Sequence, residues 1–135
     1  MSDIKDENLK GNERIEADIV ELQNNPSDEM LAVTLTSIRK RMQAGGHMVV
    51  SVDVAMGESY QVRTMTLENQ RWMVAFTSFD EELKGGESVM STFTAPISQI
   101  FQMALGAEEL AGVLINPWDK AIRLNKSLIQ IIIGQ

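Results

Sequence analysis

The side chains in this chain that could run a reaction are few and scattered. There is one histidine, His47, and no cysteine. A thiolate nucleophile, a thiolate metal centre and a disulfide are therefore excluded. A serine hydrolase using His47 would need a nucleophile on a sharp strand-to-helix turn, and no G-x-S-x-G segment supplies one. His47 follows Gly45-Gly46 at the start of an apolar run, a place for a half-exposed structural imidazole. A metal site would have to rest on carboxylates alone. The adjacent Asp80, Glu81 and Glu82 open a short helix, where negative charge complements the dipole, and Glu108 and Glu109 read as a solvated loop. Gly85-Gly86 has no Lys-Ser/Thr at phosphate-loop spacing. The expectation is a protein that is not an enzyme, with no catalytic residues, no metal and no cofactor.

One constellation remains that could bind a ligand. Thr77 and Ser78 close one apolar run, and Asn116 and Trp118 close another. If those runs are neighbouring parallel strands, Thr77, Ser78, Asn116 and Trp118 share the carboxyl edge of a sheet. Open α/β sheets hold their ligands in crevices at that edge. Ser78 would add a helix N-terminus suited to a small carboxylate or phosphate. The plainer assignment makes Ser78 a cap, Asn116 a turn residue and Trp118 the cover of the core's edge.

The elements that must position these residues follow from the hydrophobic pattern. Of 135 residues, 44% are hydrophobic and 23% charged, which suits one domain with a conventional core. Residues 1–12 are polar and aperiodic and read as a flexible leader, with a single domain over 13–135. Ile15, Ile19 and Leu22 recur at helical spacing over 13–24. Asn24-Asn25-Pro26 interrupts, with Asn25 as N-cap and Pro26 at the first position of a second helix. Leu31, Leu35, Ile38 and Met42 line that helix, and Gly45-Gly46 ends it.

The period then changes to two, over Met48 to Val54. Gln61 to Leu67 and Arg71 to Thr77 form a hairpin about Glu68-Asn69-Gln70, with Trp72, Val74 and Phe76 on a core face. Ser78 and Glu81 have capping-box spacing before a short helix that ends at Gly85-Gly86. Val89 to Phe93 predicts a fourth strand. Pro96 opens a helix with the stripe Ile97, Ile100, Phe101, Ala104 and Leu105, stopped by Gly106. Leu110 to Ile115 is a fifth strand, Asn116 to Asp119 a type I turn, and Ala121 to Leu124 a sixth strand. Leu128 to Ile133 fits either a helix capped by Asn125 or a strand of β-branched residues. Strand–helix–strand–helix–strand from 71 to 115 predicts three parallel strands if they share a sheet. The fold class is α+β: a single compact domain, a mixed β-sheet of about five or six strands, an N-terminal helical hairpin, and helices packed on the sheet.

Charge and hydropathy narrow the partners. The net charge of −7 opposes binding to a phosphate backbone, so no nucleic acid is expected. Arg39-Lys40-Arg41, the one basic cluster, reads as a solvated helix end facing the dipole. No apolar run approaches the ~20 residues that span a bilayer. The first residues lack the features of a secretory signal. No membrane association and a cytoplasmic location are expected. Nine methionines are present; Met30, Met42, Met65, Met73 and Met103 fall within apolar patterns, as core fillers do.

Taken together, Trp72-x-Val74-x-Phe76-Thr77-Ser78-x-x-Glu81, the helix Ile97 to Leu105, and Gly112-Val113-Leu114-Ile115-Asn116-Pro117 resemble the N-terminal domain of the SseB family, enhanced serine sensitivity proteins. Asn25-Pro26 before a helix and the valine-rich His47 to Val54 keep the same order. The resemblance covers roughly residues 15–130. It implies a small bacterial α+β domain of the cytoplasm with no established activity, and it supplies no catalytic residue. The leading functional expectation is a non-enzymatic protein-interaction module, binding an unknown protein partner through an apolar or Met-rich surface, with the Ile-rich C-terminus able to seal a homodimer. The alternative is a small-metabolite sensor, for an amino acid or carboxylate, at Thr77, Ser78, Asn116 and Trp118.

Overall fold

A computed structural model describes residues 7–54, 60–84 and 91–134. The predicted leader lies outside the described residues over 1–6. A 3-10 turn at Glu7–Leu9 leads into helix α1, Asn12–Asn24, and α2, Asp28–Gln43, completes the helical hairpin. The cap of α2 is not Asn25. Ser27 adopts the extended conformation of an N-cap, and its hydroxyl accepts the Met30 N–H at 3.0 Å. Asn25 instead donates its amide to Glu21 Oε2 at 3.1 Å, so Pro26 lies in the connection and not in the helix.

Strand β1, His47–Val54, follows, then β2, Tyr60–Val62, and β3, Thr64–Leu67. The run predicted over 61–67 is thus divided at Arg63. Strand β4, Gln70–Ala75, pairs with β3 in the expected hairpin. Its two turn residues, Glu68 and Asn69, both have positive φ (53° and 67°), the signature of a type I′ turn that matches strand twist. Helix α3, Phe79–Leu83, precedes β5, Ser91–Pro96, and α4, Ile97–Gly106. Strands β6, Leu110–Ile115, and β7, Ile122–Asn125, lead to α5, Lys126–Ile133. The predicted Gly85-Gly86 stop and Val89 lie outside the described residues.

The α+β class, the helical hairpin and the helices packed on sheet are all present. Among the described residues there are seven strands in two sheets, ordered β2-β1-β5 and β3-β4-β6-β7. Strands β4 and β6 are parallel neighbours, with Val74 opposite Leu114. The third expected parallel member is not there. β5 lies antiparallel to β1 in the other sheet, with Val50 opposite Phe93. The handedness rule governs crossovers only within one sheet, and the chain leaves the four-stranded sheet between β4 and β5.

The two sheets are joined at two places. Val49 and Phe76 exchange both backbone bonds, at 2.8 and 2.9 Å. Arg63 donates its N–H to Ser51 O at 2.9 Å and accepts from Val74 N–H at 3.1 Å, so its backbone belongs to both sheets. This joint explains why Met48 to Ser51 are buried without interruption, although the sequence reads as simple alternation. Met48 and Val50 face the main core, and Val49 faces a smaller one with Val74 and Phe76.

The main core lies between one face of the four-stranded sheet and the helices. Met73, Ala75, Val113, Ile115 and Leu124 meet Ile15, Ile19 and Ile38 there, with Ile97, Ile100, Phe101 and Ala104 of the α4 stripe. Residues 126–133 are helical, not extended. Asn125 Oδ1 accepts the Leu128 N–H at 2.9 Å, which satisfies one orphan donor, and Ile129 and Ile132 turn inward. Of the methionines expected in the core, Met73 is buried, Met30, Met42 and Met65 are half-buried, and Met103 is exposed.

Candidate functional site

The carboxyl ends of β4 and β6 bring Thr77 and Asn116 into direct contact. The Thr77 N–H donates to Asn116 Oδ1 at 2.9 Å, and Asn116 Nδ2 donates to Thr77 Oγ1 at 3.0 Å. The backbone N–H of Asn116 donates to Ala75 O at 2.9 Å, extending the parallel ladder. Asn116 has φ +53°, a left-handed conformation that asparagine tolerates better than most residues. That twist turns the chain into Pro117, and Asp119 N–H closes the predicted turn on Asn116 O at 3.3 Å.

The network extends beyond these two residues. Thr77 Oγ1 donates to Glu16 Oε2 at 2.5 Å. Asn12 Nδ2 donates to Thr77 O at 3.0 Å and to His47 O at 2.9 Å, while Asn12 Oδ1 accepts Arg41 Nε at 3.1 Å. Arg41 also donates to Asn8 O at 3.0 Å. One buried amide thus ties α1 to α2, β1 and the end of β4. Thr77, Asn116 and Asn12 are each at most 1% exposed. Every side-chain polar atom of the Thr77–Asn116 pair is engaged inside the protein, and a buried polar group is costly only when unmatched.

Ser78 and Trp118 sit beside the pair with other tasks. Ser78 Oγ accepts the Glu81 N–H at 3.2 Å, the cap that its spacing predicts. The reciprocal half of a capping box is not made by Glu81 Oε1, which has no partner among the described residues. Helix α3 has only five residues, so its dipole end is a weak anion site. Trp118 is half-buried against the small core of Val49, Val74 and Phe76.

The two acidic clusters, at the start of α3 and before β6, divide. Asp80, Glu108 and Glu109 are exposed, but Glu81 and Glu82 are 1% and 5% exposed. Glu81 Oε2 takes Lys84 Nζ at 2.5 Å, with Lys120 Nζ at 3.7 Å, and Glu82 receives the Ser51 hydroxyl at 3.5 Å. Among the described residues, no three carboxylate or imidazole side chains gather as metal ligands. Arg39 and Arg41 also differ from a solvated helix end. Arg39 Nε donates to Ile132 O at 2.9 Å and Nη2 to Ile131 O, capping α5 from outside, while Lys40 is exposed.

Lys84 also reaches Asp119 Oδ2, at 2.8 Å. The bond to Asp119, then the bond to Glu81, raises the Lys84 ammonium above the ordinary lysine range. Its bond and charge hold the Asp119 carboxyl below the usual carboxylate value. A carboxyl lowered in the folded state stabilises above its unfolded value, about 3.9, and that support is lost as pH falls through the lowered value. Thermal melts should therefore separate the natural chain from Asp119→Asn near pH 7, and the two should converge once the pH has fallen below the lowered Asp119 value. An unchanged gap at acid pH would contradict the pairing.

A second feature lies on the other face of the four-stranded sheet. An open groove of about 250 Å³ is lined by Met65, Leu67, Leu114, Pro117, Ala121, Ile122 and Arg123. The Arg123 guanidinium stands 5.7 Å from the Trp72 ring centroid, and that of Arg63 stands 5.4 Å from Trp118. Both distances are in cation–π range. Among the described residues the indole N–H groups of Trp72 and Trp118 have no acceptor. Asn12, Glu16 and Arg41 of the buried network, and the two arginine–tryptophan stacks, were not legible as site residues. Polar residues far apart in sequence carry no periodic signal.

Among the described residues, no helix is long and apolar enough to cross a membrane. Comparison with known proteins places the chain in no group: no family model, no curated protein and no solved structure matches it.

Proposed function

We propose that this chain is a non-enzymatic module that binds a protein partner. The observation that carries this reading is the buried polar network at the β4–β6 edge. The side chains there best suited to chemistry are engaged with one another, while large apolar side chains remain at the surface. Leu83 is 60% exposed, Ile131 51% and Phe93 44%. Exposed apolar side chains of this kind would supply the apolar part of an interface. The resemblance of the sequence to the SseB N-terminal domain supports a bacterial, cytoplasmic setting for the module. Ile131 on α5 is the natural contact for a homodimer.

A metabolite sensor at Thr77, Ser78, Asn116 and Trp118 is the weaker reading, because a ligand there would have to displace bonds already made. A thermal-shift panel of amino acids and small carboxylates separates the two, since ligand at 100 times Kd raises stability by about 2.7 kcal/mol. Affinity capture with mass spectrometry, together with light scattering for mass, tests the module directly. A reproducible partner or a dimer is expected. A strict monomer that captures nothing specific, yet shifts with one metabolite, would overturn it.

A further inference from the structure

We propose that the groove on the outer face of the four-stranded sheet binds an acidic peptide segment bearing aliphatic side chains. The proposal rests on the interaction-module reading and assigns its partner a chemistry. The floor is apolar and adaptable, formed by Met65, Leu67, Leu114 and Pro117. Methionine fills irregular contacts without demanding one shape. Arg123 lines the groove itself, and Arg63 stands over Trp118 next to the Pro117 wall.

Charge identifies the occupant. The chain carries a net −7, yet the groove face holds two arginines, Arg63 and Arg123, against one acid, Glu68. Helix α1 shows the opposite balance, with Glu13, Glu16, Asp18 and Glu21 against Arg14. An acidic segment is thus repelled by the helical side and attracted to this sheet. A guanidinium stacked on an indole keeps its in-plane donors for a carboxylate, so the two stacks act as preset anchors. The existing partner of Arg123 is Glu68 Oε1, at 3.3 Å on a side chain that is 75% exposed. An exposed pair of this kind is worth little, so a ligand carboxylate exchanges with it at small cost. Leucine or isoleucine between the acids would fill the floor.

The test uses two short fluorescein-labelled peptides, one alternating Glu with Leu and one with Lys replacing every Glu. Fluorescence anisotropy should show saturable binding of the acidic peptide alone, weakening as salt rises from about 0.05 to 0.5 M. The chain has only two tryptophans, so their emission should change on titration. Arg63→Gln with Arg123→Gln should weaken binding about tenfold or more, with the far-ultraviolet spectrum unchanged. If the double variant is misfolded, Arg63→Gln alone and the salt dependence decide the same point. Equal binding of both peptides, no saturable binding, or an arginine variant that binds like the natural chain would overturn the proposal. Affinity capture with the same variants separates the two levels. A partner retained equally by the natural chain and the glutamine variants leaves the module standing and removes the groove.

Discussion

Replacing Gly112 with alanine should abolish cooperative folding or lower stability by more than about 4 kcal/mol, among the largest effects of any single substitution here. Glycine at this position is required above all by closeness, and its φ of 159° is a conformation that residues with side chains rarely adopt. A Cβ there would stand 2.0 Å from Leu124 O and 2.9 Å from Asn125 Cα. Those atoms belong to the backbone of β7, which cannot rotate away as a side chain could. Gly112 pairs with Trp72 on one side and Asn125 on the other, so separation at this point opens two ladders at once. A glycine inside a strand often marks such an approach of neighbouring backbone. Urea melts followed by circular dichroism would measure the loss. A variant within about 1 kcal/mol of the natural chain would mean that β6 and β7 are not so close.

Substitution of Asn116 by alanine should cost about 2 to 4 kcal/mol, the second large effect. It removes the acceptor of the buried Thr77 N–H and the donor to Thr77 Oγ1. A buried donor left unmatched costs about 1–3 kcal/mol, and alanine held in a left-handed conformation adds roughly 1 kcal/mol more. Glycine at the same position relieves the second cost and not the first, so Asn116→Gly should recover about 1 kcal/mol relative to alanine. Equal stability of the alanine and glycine variants would contradict the left-handed geometry. Near-natural stability of both would contradict the network itself.

Local rules carried much of the architecture. The α1–α2 hairpin, the β3–β4 hairpin, the α4 stripe and the Ser78 cap each depend on residues within a few positions of one another. The parallel pairing of β4 with β6 was legible as well, since a strand, an intervening helical segment and a strand leave few alternatives. The place of β5 was not. Its partner β1 is encoded some 40 residues upstream, and nothing in Ser91–Pro96 distinguishes an antiparallel mate from a parallel one.

Polar residues set the sharper limit. Asn12 read as part of an aperiodic leader, and Glu81 and Glu82 as acids complementing a helix dipole. They are buried because each meets a partner that the fold supplies: the carbonyls of His47 and Thr77 for Asn12, Lys84 for Glu81, and Ser51 for Glu82. The sheet-edge quartet was found by the correct geometric idea. The atoms of Thr77 and Asn116 turn inward, however, and spend their bonding capacity on joining α1 to the ends of β4 and β6. The binding surface proposed above lies instead on the sheet face, where stacked arginines and methionine give no motif.

Hydrogen exchange of the Thr77 backbone amide, followed by nuclear magnetic resonance, tests this account most directly. Donation to a fully buried Asn116 predicts exchange as slow as that of the central β4 and β6 amides, and accelerated exchange in Asn116→Ala. Exchange at the rate of an open loop in the natural chain would contradict it, because the edge would then be available to ligand.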